Sequence, residues 1–309
     1  MQYIGIDIGG TKCAVVLGDE HGQVIDRYAI PTGSCEPTLA KLFDAVAAHR
    51  DYGAIGVSCG GPLDAVTGTI LSPPNLPGWD AVKIVDRLTE RFGVPAFLRN
   101  DADACAVAEW KYGAGQGTRN MIFLTCGTGM GAGLILNGRL YTGTNGSAGE
   151  VGHMRLAELG PVGYGKAGSF EGFCSGGGIA QTGEMIARER AQTGHPVPWD
   201  DGSPITAKRL AEAAMAGDAD ARQVWDRTAE MLGRGVALLI DVFNPEKIVI
   251  GSIFQRSEVL LREGMERVIA RECLPHAAAV CQVVPAALGD SIGDVAALSI
   301  AVGGLKGEI

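Results

Sequence analysis

The sequence predicts an α/β protein of two lobes with a cleft between them. Three observations lead there. The chain has 309 residues, more than one small core organises. Strand-like apolar runs mix with helix-period segments from end to end. And one hairpin pattern occurs twice: residues 3–17, YIGIDIGGTKCAVVL, align without gaps with 121–135, MIFLTCGTGMGAGLI. Each copy has an apolar run, a polar residue (Asp7 or Thr125), a glycine turn with a threonine, and a second apolar run.

The elements follow in order. Residues 3–8 and 13–17, split by Gly9–Lys12, read as a β-hairpin. Helical patterns follow at 37–50 and 80–92, with strands at 54–58 and 95–98. A small-residue helix fits 101–112, and GAGQGT at 113–118 breaks the pattern as a domain boundary. Strands at 121–125 and 132–136 flank the second glycine turn. Helices fit 176–192, 206–216 and 219–241, the last stopped by Asn244-Pro245. A buried strand at 247–251, a helix at 257–272, a strand at 281–284 and a helix at 292–302 close the chain. The expected division is 1–118 plus 290–309 for the smaller lobe and 119–289 for the larger.

Composition narrows the function classes. A net charge of −9 without a Lys/Arg cluster argues against nucleic-acid partners. No apolar run reaches the ~18 residues a membrane span needs. The N-terminus lacks the basic start of a signal peptide, which gives a cytoplasmic expectation. The eight cysteines have irregular spacings inside apolar or glycine-rich runs and read as small buried hydrophobes in a reducing compartment.

Three constellations carry chemistry. In the first hairpin, Gly9 and Gly10 permit close approach of an anion, and the N–H groups of Gly10, Thr11 and Lys12 can face phosphate oxygens. Asp7 before the turn can hold magnesium through water. An ordinary Gly-Gly hairpin is the plain alternative, and the matching turn Gly127-Thr128-Gly129 weighs against it. In LRNDADACA, Asn100 and Asp101 fall where a strand meets a helix. They suit a helix cap, and an Asp ionised beside a helix N-terminus also suits a general base for a hydroxyl attacking a γ-phosphate. Finally, Glu150, His153 and Glu171 stand isolated in glycine-rich loops and, with Asn100 and Asp101, make a ring of donors and acceptors suited to a polyhydroxylated ligand.

At this point the sequence resembles the ROK family of repressors, open reading frames and sugar kinases, over nearly its whole length. IGIDIGGTK resembles that family's first phosphate motif, and SCGGPLD (58–64) and SPPNLPGW (72–79) its sugar-domain signatures. LRNDADA resembles its catalytic segment, and residues 126–153 its long signature. The resemblance implies an actin-like ATPase (ribonuclease H-like) fold and an ATP- and magnesium-dependent hexose kinase, glucokinase-like, usually a homodimer or homotetramer. It implies Asp101 as base, with Asn100, Glu150, His153 and Glu171 on the sugar and Gly61 and Asn75 beside them. It places the phosphates on Gly10, Thr11, Lys12, Thr128 and Gly129, and the nucleoside near Gly251, Ser252 and Ser175–Gly177. Fructose, mannose, allose and N-acetylhexosamines are alternative substrates. A sugar-responsive regulator is the alternative of a different class, although the first phosphate strand is expected to open at residue 3, which gives the expectation of no DNA reader ahead of it.

One departure is clear. Many members bind zinc with a histidine and three cysteines, but the aligned stretch here is VGYGKAGSFE (162–171), with Val162, Tyr164 and Ser169 at the cysteine positions. A structural zinc needs about four N or S ligands, and only His153 is left. Apolar packing by Val162, Tyr164 and Phe170 is expected to hold the loop instead. The protein is therefore expected to contain no structural zinc. Elemental analysis of protein purified without metal-affinity resin checks this, and stoichiometric zinc would show the loop to be misaligned.

Overall fold

The computed structural model describes the whole chain, Met1–Ile309. It forms fifteen strands and ten α-helices. Strands β1 (Gln2–Ile8), β2 (Lys12–Asp19) and β3 (Val24–Pro31) make an antiparallel meander. Helix α1 (Cys35–Ala47) leads to β4 (Tyr52–Cys59), parallel to β1. Strands β5 (Leu63–Asp64), β6 (Thr69–Ile70) and β7 (Val82–Lys83) form a small sheet. Helix α2 (Ile84–Phe92) leads to β8 (Ala96–Asn100), parallel to β4, and α3 (Asp101–Tyr112) starts directly from its end. The first large sheet thus has the order β3-β2-β1-β4-β8.

Strands β9 (Met121–Cys126), β10 (Met130–Leu136) and β11 (Arg139–Tyr141) open the second large sheet. A two-residue hairpin, β12 (Val162–Gly163) and β13 (Lys166–Ala167), precedes helices α4 (Phe170–Cys174), α5 (Gly176–Gln192), α6 (Ala207–Met215) and α7 (Ala219–Phe243). Then come β14 (Lys247–Ile250), α8 (Ile253–Glu272), α9 (Pro275–Ala278), β15 (Gln282–Pro285) and α10 (Ile292–Lys306). The second sheet has the order β11-β10-β9-β14-β15. The chain divides into two compact units: Met1–Phe123 with Gly133–Ala148 and Ala287–Ile309, and Leu124–Ala132 with Gly149–Ala286.

Most expected elements are present within a few residues. Strand β3 was not foreseen because it is an edge strand whose residues are mostly exposed, so no apolar run marks it. Its ladder to β2 makes it a strand. The helix expected at 257–272 begins at Ile253, with a non-helical Ser257 marking the kink. Helix α7 ends at Phe243, as the Asn-Pro pair implied, with Asn244 in the left-handed conformation.

Side-chain alternation assigns the two faces of the first sheet. Ile4, Ile6 and Ile8 join a core with Leu39, Leu42 and Val46 of α1 and with Ile84 and Leu88 of α2. Tyr3 faces the opposite way and packs with Leu298, Ala301 and Val302 of α10. Gly5 and Asp7 follow Tyr3 at the same spacing. A Cβ on Gly5 would sit 2.8 Å from the Leu298 nitrogen, and one on Gly56 of β4 would collide with the backbone of Ala297 and Ala301. Helix α10 therefore lies backbone-to-backbone on β1 and β4.

Inside the same unit, Glu109 of α3 is fully buried. Its carboxylate accepts from the N–H groups of Ala114 (2.8 Å), Ala287 (3.0 Å) and Leu288 (2.9 Å). Three backbone donors thus offset the cost of burying the charge.

The contact at Gly56 yields a test. Gly56→Ala should destabilise the protein by about 1–3 kcal/mol, because the new methyl group must displace helix backbone rather than a flexible side chain. Gly33→Ala is the control, since its Cβ would meet only Thr38 Oγ1 at 3.5 Å. Denaturation midpoints compare the two, and equal midpoints would refute the close approach.

Candidate active site

In the first unit the site grows from the ends of β1, β4 and β8. Asp7 pairs in register with Ser58 of β4, whose hydroxyl hydrogen-bonds its carboxylate. Burial, then Asp294 and then Asp101 push the Asp7 carboxyl up from 3.8 to about 6, against the opposing pull of Ser58 and Lys12. Asp294 was not foreseen from sequence. It stands in the first turn of α10, where the close helix–sheet packing puts Gly293 against Asp7, and Arg27 of β3 donates to it at 2.7 Å.

The first glycine turn projects from the same strand end. The Gly9 N–H donates to the Lys12 carbonyl at 3.1 Å, and the Thr32 hydroxyl donates to the Gly9 carbonyl at 2.6 Å, leaving Gly10, Thr11 and Lys12 exposed at the tip. Gly10 lies against Asn75: a Cβ there would be 2.8 Å from that residue's own Cβ.

At the β8–α3 junction Asn100 is the helix N-cap. Its side chain and Asp101 Oδ1 both accept from the Ala102 N–H at 2.9 Å. This pins the Asp101 carboxylate and turns Oδ2 toward Gly60, while Asn100 Nδ2 faces Gly61. Asp101 is open to solvent on one side yet densely surrounded by protein. Desolvation raises its carboxyl above the usual carboxylate range, outweighing the amide bonds that lower it. A raised value makes a stronger proton acceptor.

In the second unit the turn Gly127-Thr128-Gly129 closes through the Gly127 N–H to the Gly129 carbonyl at 3.0 Å. The Gly127 carbonyl accepts from Gly176, the first residue of α5, at 2.8 Å. Ser175 caps α5 by accepting from Gly178 at 3.1 Å, so the start of a long helix, with the positive end of its dipole, sits beside the turn. Ser252 Oγ lies 3.7 Å from where a Gly127 Cβ would be, and Gly251 donates to the Leu124 carbonyl. Ser252 has φ 57° and ψ −110°, a costly conformation for a residue with a side chain.

Glu150, His153 and Glu171 gather around one 3₁₀ turn, Val151–His153. Gly149 and Gly152 allow it to lie against β10, because a Cβ on either would strike the Ala132 or Met130 carbonyl. Glu171 Oε2 accepts from the Met130 N–H at 2.9 Å, the residue just after the second glycine turn. The His153 carbonyl accepts from Lys166 at 2.7 Å, and its ring meets Tyr164 edge-on at 6.4 Å.

One expectation fails here. Val162 is 47% exposed and Tyr164 79% exposed, so apolar packing by these two residues does not hold the loop. Phe170 alone is fully buried, against Gly235. Polar ties do the rest: Arg155 donates to the Ala167 carbonyl at 2.8 Å, and buried Ser169 caps α4.

Residues 3–303 match the ROK family. The chain belongs to the ROK family. A glucokinase of Halalkalibacterium halodurans is 33% identical over 304 residues, covering 94% of this chain and 92% of that one. A ROK family glucokinase from Streptomyces griseus, solved with glucose and AMPPNP, is 31% identical with a TM-score of 0.77, over 97% of this chain and 99% of the other. A xylose repressor of Caldicellulosiruptor bescii is 31% identical, over 87% of this chain and 70% of its own length. The ROK fold here is α/β, of the actin-like ATPase kind. No helix is long and apolar enough to cross a membrane.

The Asp7 carboxylate carries a stability consequence whose sign is fixed. Its folded value, raised to about 6, lies above the unfolded value near 3.8, so folding favours the protonated form. That preference is fully present below the unfolded value and is lost as pH rises through about 6. Asp7→Asn should therefore stabilise the ligand-free, magnesium-free protein at pH 8 by up to ~3 kcal/mol, at ~1.4 kcal/mol per pKa unit. The gain should shrink below pH 6 and vanish near pH 4. Denaturation midpoints across that range test it, and a gain independent of pH would contradict the cause given.

Proposed function

We propose that this protein transfers the γ-phosphoryl group of ATP to a hydroxyl of a hexose, with glucose as the leading substrate. The observation that carries the reading is the β8–α3 junction: Asp101 has one carboxylate oxygen fixed by the Ala102 N–H and the other directed toward Gly60, with a raised pKa. A base needs a fixed, unblocked oxygen and enough basicity to accept a hydroxyl proton. Glucokinase relatives at comparable length support the same reaction.

In the proposed mechanism the sugar hydroxyl gives its proton to Asp101 as its oxygen bonds to the γ-phosphorus. The bond from that phosphorus to the bridging oxygen breaks, and ADP leaves with the electron pair. Asn100, Glu150, His153 and Glu171 pair the remaining hydroxyls, with Gly61 and Asn75 at the edge. Each unpaired polar group would cost free energy, so these residues also select the sugar. The N–H groups of Gly10, Thr11 and Lys12 and of Thr128 and Gly129 take the phosphates. Ser252 and Gly251 belong to the nucleoside side.

The Asp7 surroundings fit a cation, since burial and the nearby Asp294 and Asp101 carboxylates all penalise ionisation of Asp7. Asp7 would hold magnesium through water, and the ion, when bound, would neutralise phosphate charge. Two lobes with a hinge, a cytoplasmic location and a homodimeric or homotetrameric assembly belong to the same reading.

The test is turnover and binding measured together. Asp101→Asn should lower kcat by roughly 10²–10⁴-fold while sugar affinity, measured by calorimetry, stays near wild type. Near-wild-type turnover would remove Asp101 from the role of base. A panel of hexoses with ATP settles the substrate, and ATP consumption indifferent to added hexose would overturn the kinase reading. Sugar binding without any turnover would favour a sugar-sensing role like that of the repressor relative.

A further inference from the structure

Strands β12 and β13 are two residues each, too short to hold themselves together in water. The hairpin's fastening comes from α5. Gln181 Oε1 accepts from the Val162 N–H at 2.9 Å, and Gln181 Nε2 donates to the Val162 carbonyl at 2.9 Å. A side-chain amide thereby pairs with both backbone groups of one residue, as a neighbouring strand would. The same helix begins at Gly176, whose N–H holds the second glycine turn through the Gly127 carbonyl. One rigid element therefore touches both the turn and the hairpin.

The hairpin in turn walls in Glu171. A Cβ on Gly163 would lie 2.9 Å from both Cβ and Cγ of Glu171 and 2.5 Å from the Gly172 nitrogen. Hairpin backbone is thus in direct contact with the stem of that acid. At the other end of the side chain, Oε2 accepts from the Met130 N–H at 2.9 Å and would lie 3.0 Å from a Cβ on Gly129. One carboxylate oxygen is committed to the turn, which leaves Oε1 for a ligand hydroxyl.

We infer that Gln181 is a positioning residue: by clamping Val162 it holds the β12–β13 hairpin against Glu171, and through Glu171 it sets the shape of the turn at Gly127–Met130. The inference rests on the reading of Glu171 as a sugar contact. It makes sugar binding and the second phosphate turn share one carboxylate. Lys166 to the His153 carbonyl and Arg155 to the Ala167 carbonyl are separate ties, so loss of the clamp loosens the hairpin without unfolding it. Because the Gln181 bonds are exposed and water competes for them, the effect is that of a modest hydrogen-bond pair.

The experiment compares Gln181→Leu, similar in size without the bonds, with Gln181→Asn, one methylene too short to reach. For each variant, KM for glucose, kcat, the thermal midpoint and hydrogen exchange in the peptide containing Met130 are measured. Expected are a roughly three- to tenfold rise in the glucose KM, kcat within about twofold, and Met130 exchange faster by a similar factor. In a Glu171→Gln background the Gln181→Leu effect on kcat/KM should disappear, which a merely structural role would not produce. Unchanged exchange at Met130, or effects that simply add to those of Glu171→Gln, would overturn the inference. If Glu171→Gln leaves the glucose KM unchanged while Gln181→Leu still speeds Met130 exchange, the clamp is upheld and the assignment of Glu171 to sugar is overturned.

Discussion

The first unit rests on one close approach, that of α10 to β1 and β4. Gly5 and Gly56 present no side chain to the helix, so its backbone lies directly on the sheet. Alternation along β1 then puts Asp7 on the helix side, two residues beyond Gly5, and the start of α10 brings Gly293 and Asp294 against it. A larger residue in the sheet would lift the helix and separate these acids. The carboxylate cluster is therefore a product of the packing as much as of the acids.

That packing stores free energy at the site. Asp7 is held where burial and two like charges disfavour ionisation, and the fold tolerates this because its core is built elsewhere, on the α1–α2 face of the sheet. Ser252 in its unfavourable backbone conformation is a comparable strain in the second unit. Both residues sit beside glycine turns. Local cost concentrated beside the two glycine turns is the expected mark of a preorganised site, and in the proposed reading Asp7 would meet a cation and Ser252 the nucleoside.

Glu171 shows how few atoms connect two tasks. Its stem is packed by Gly163, one oxygen holds the Met130 N–H, and the 3₁₀ turn bearing Glu150 and His153 lies alongside through Gly152. Glycines 129, 152 and 163 border it on three sides: a methyl group at 152 or 163 would collide with the Met130 carbonyl or the Glu171 stem, and one at 129 would press on the carboxylate tip. These three glycines thus reflect crowding around one carboxylate.

Much of this was legible in the residue order. Apolar periodicity marked most helices and buried strands, the paired glycine motifs marked both turns, and Asn100-Asp101, Ser175 and Asn244 announced helix ends. These signals are local: a cap, a turn or an amphipathic face is decided by residues a few positions apart. The edge strand β3 and the two-residue hairpin left no such mark, because they bury little and exist through bonds to partners remote in sequence. Tertiary structure alone decided that Asp294 faces Asp7, that Glu109 holds the N–H groups of Ala287 and Leu288, and that Gln181 clamps Val162. It also replaced the expected apolar fastening of the 162–167 loop with hydrogen bonds. A hydrogen bond or a charge pair has no period in sequence, and its partner is whichever group the packing of the core delivers within about 3 Å.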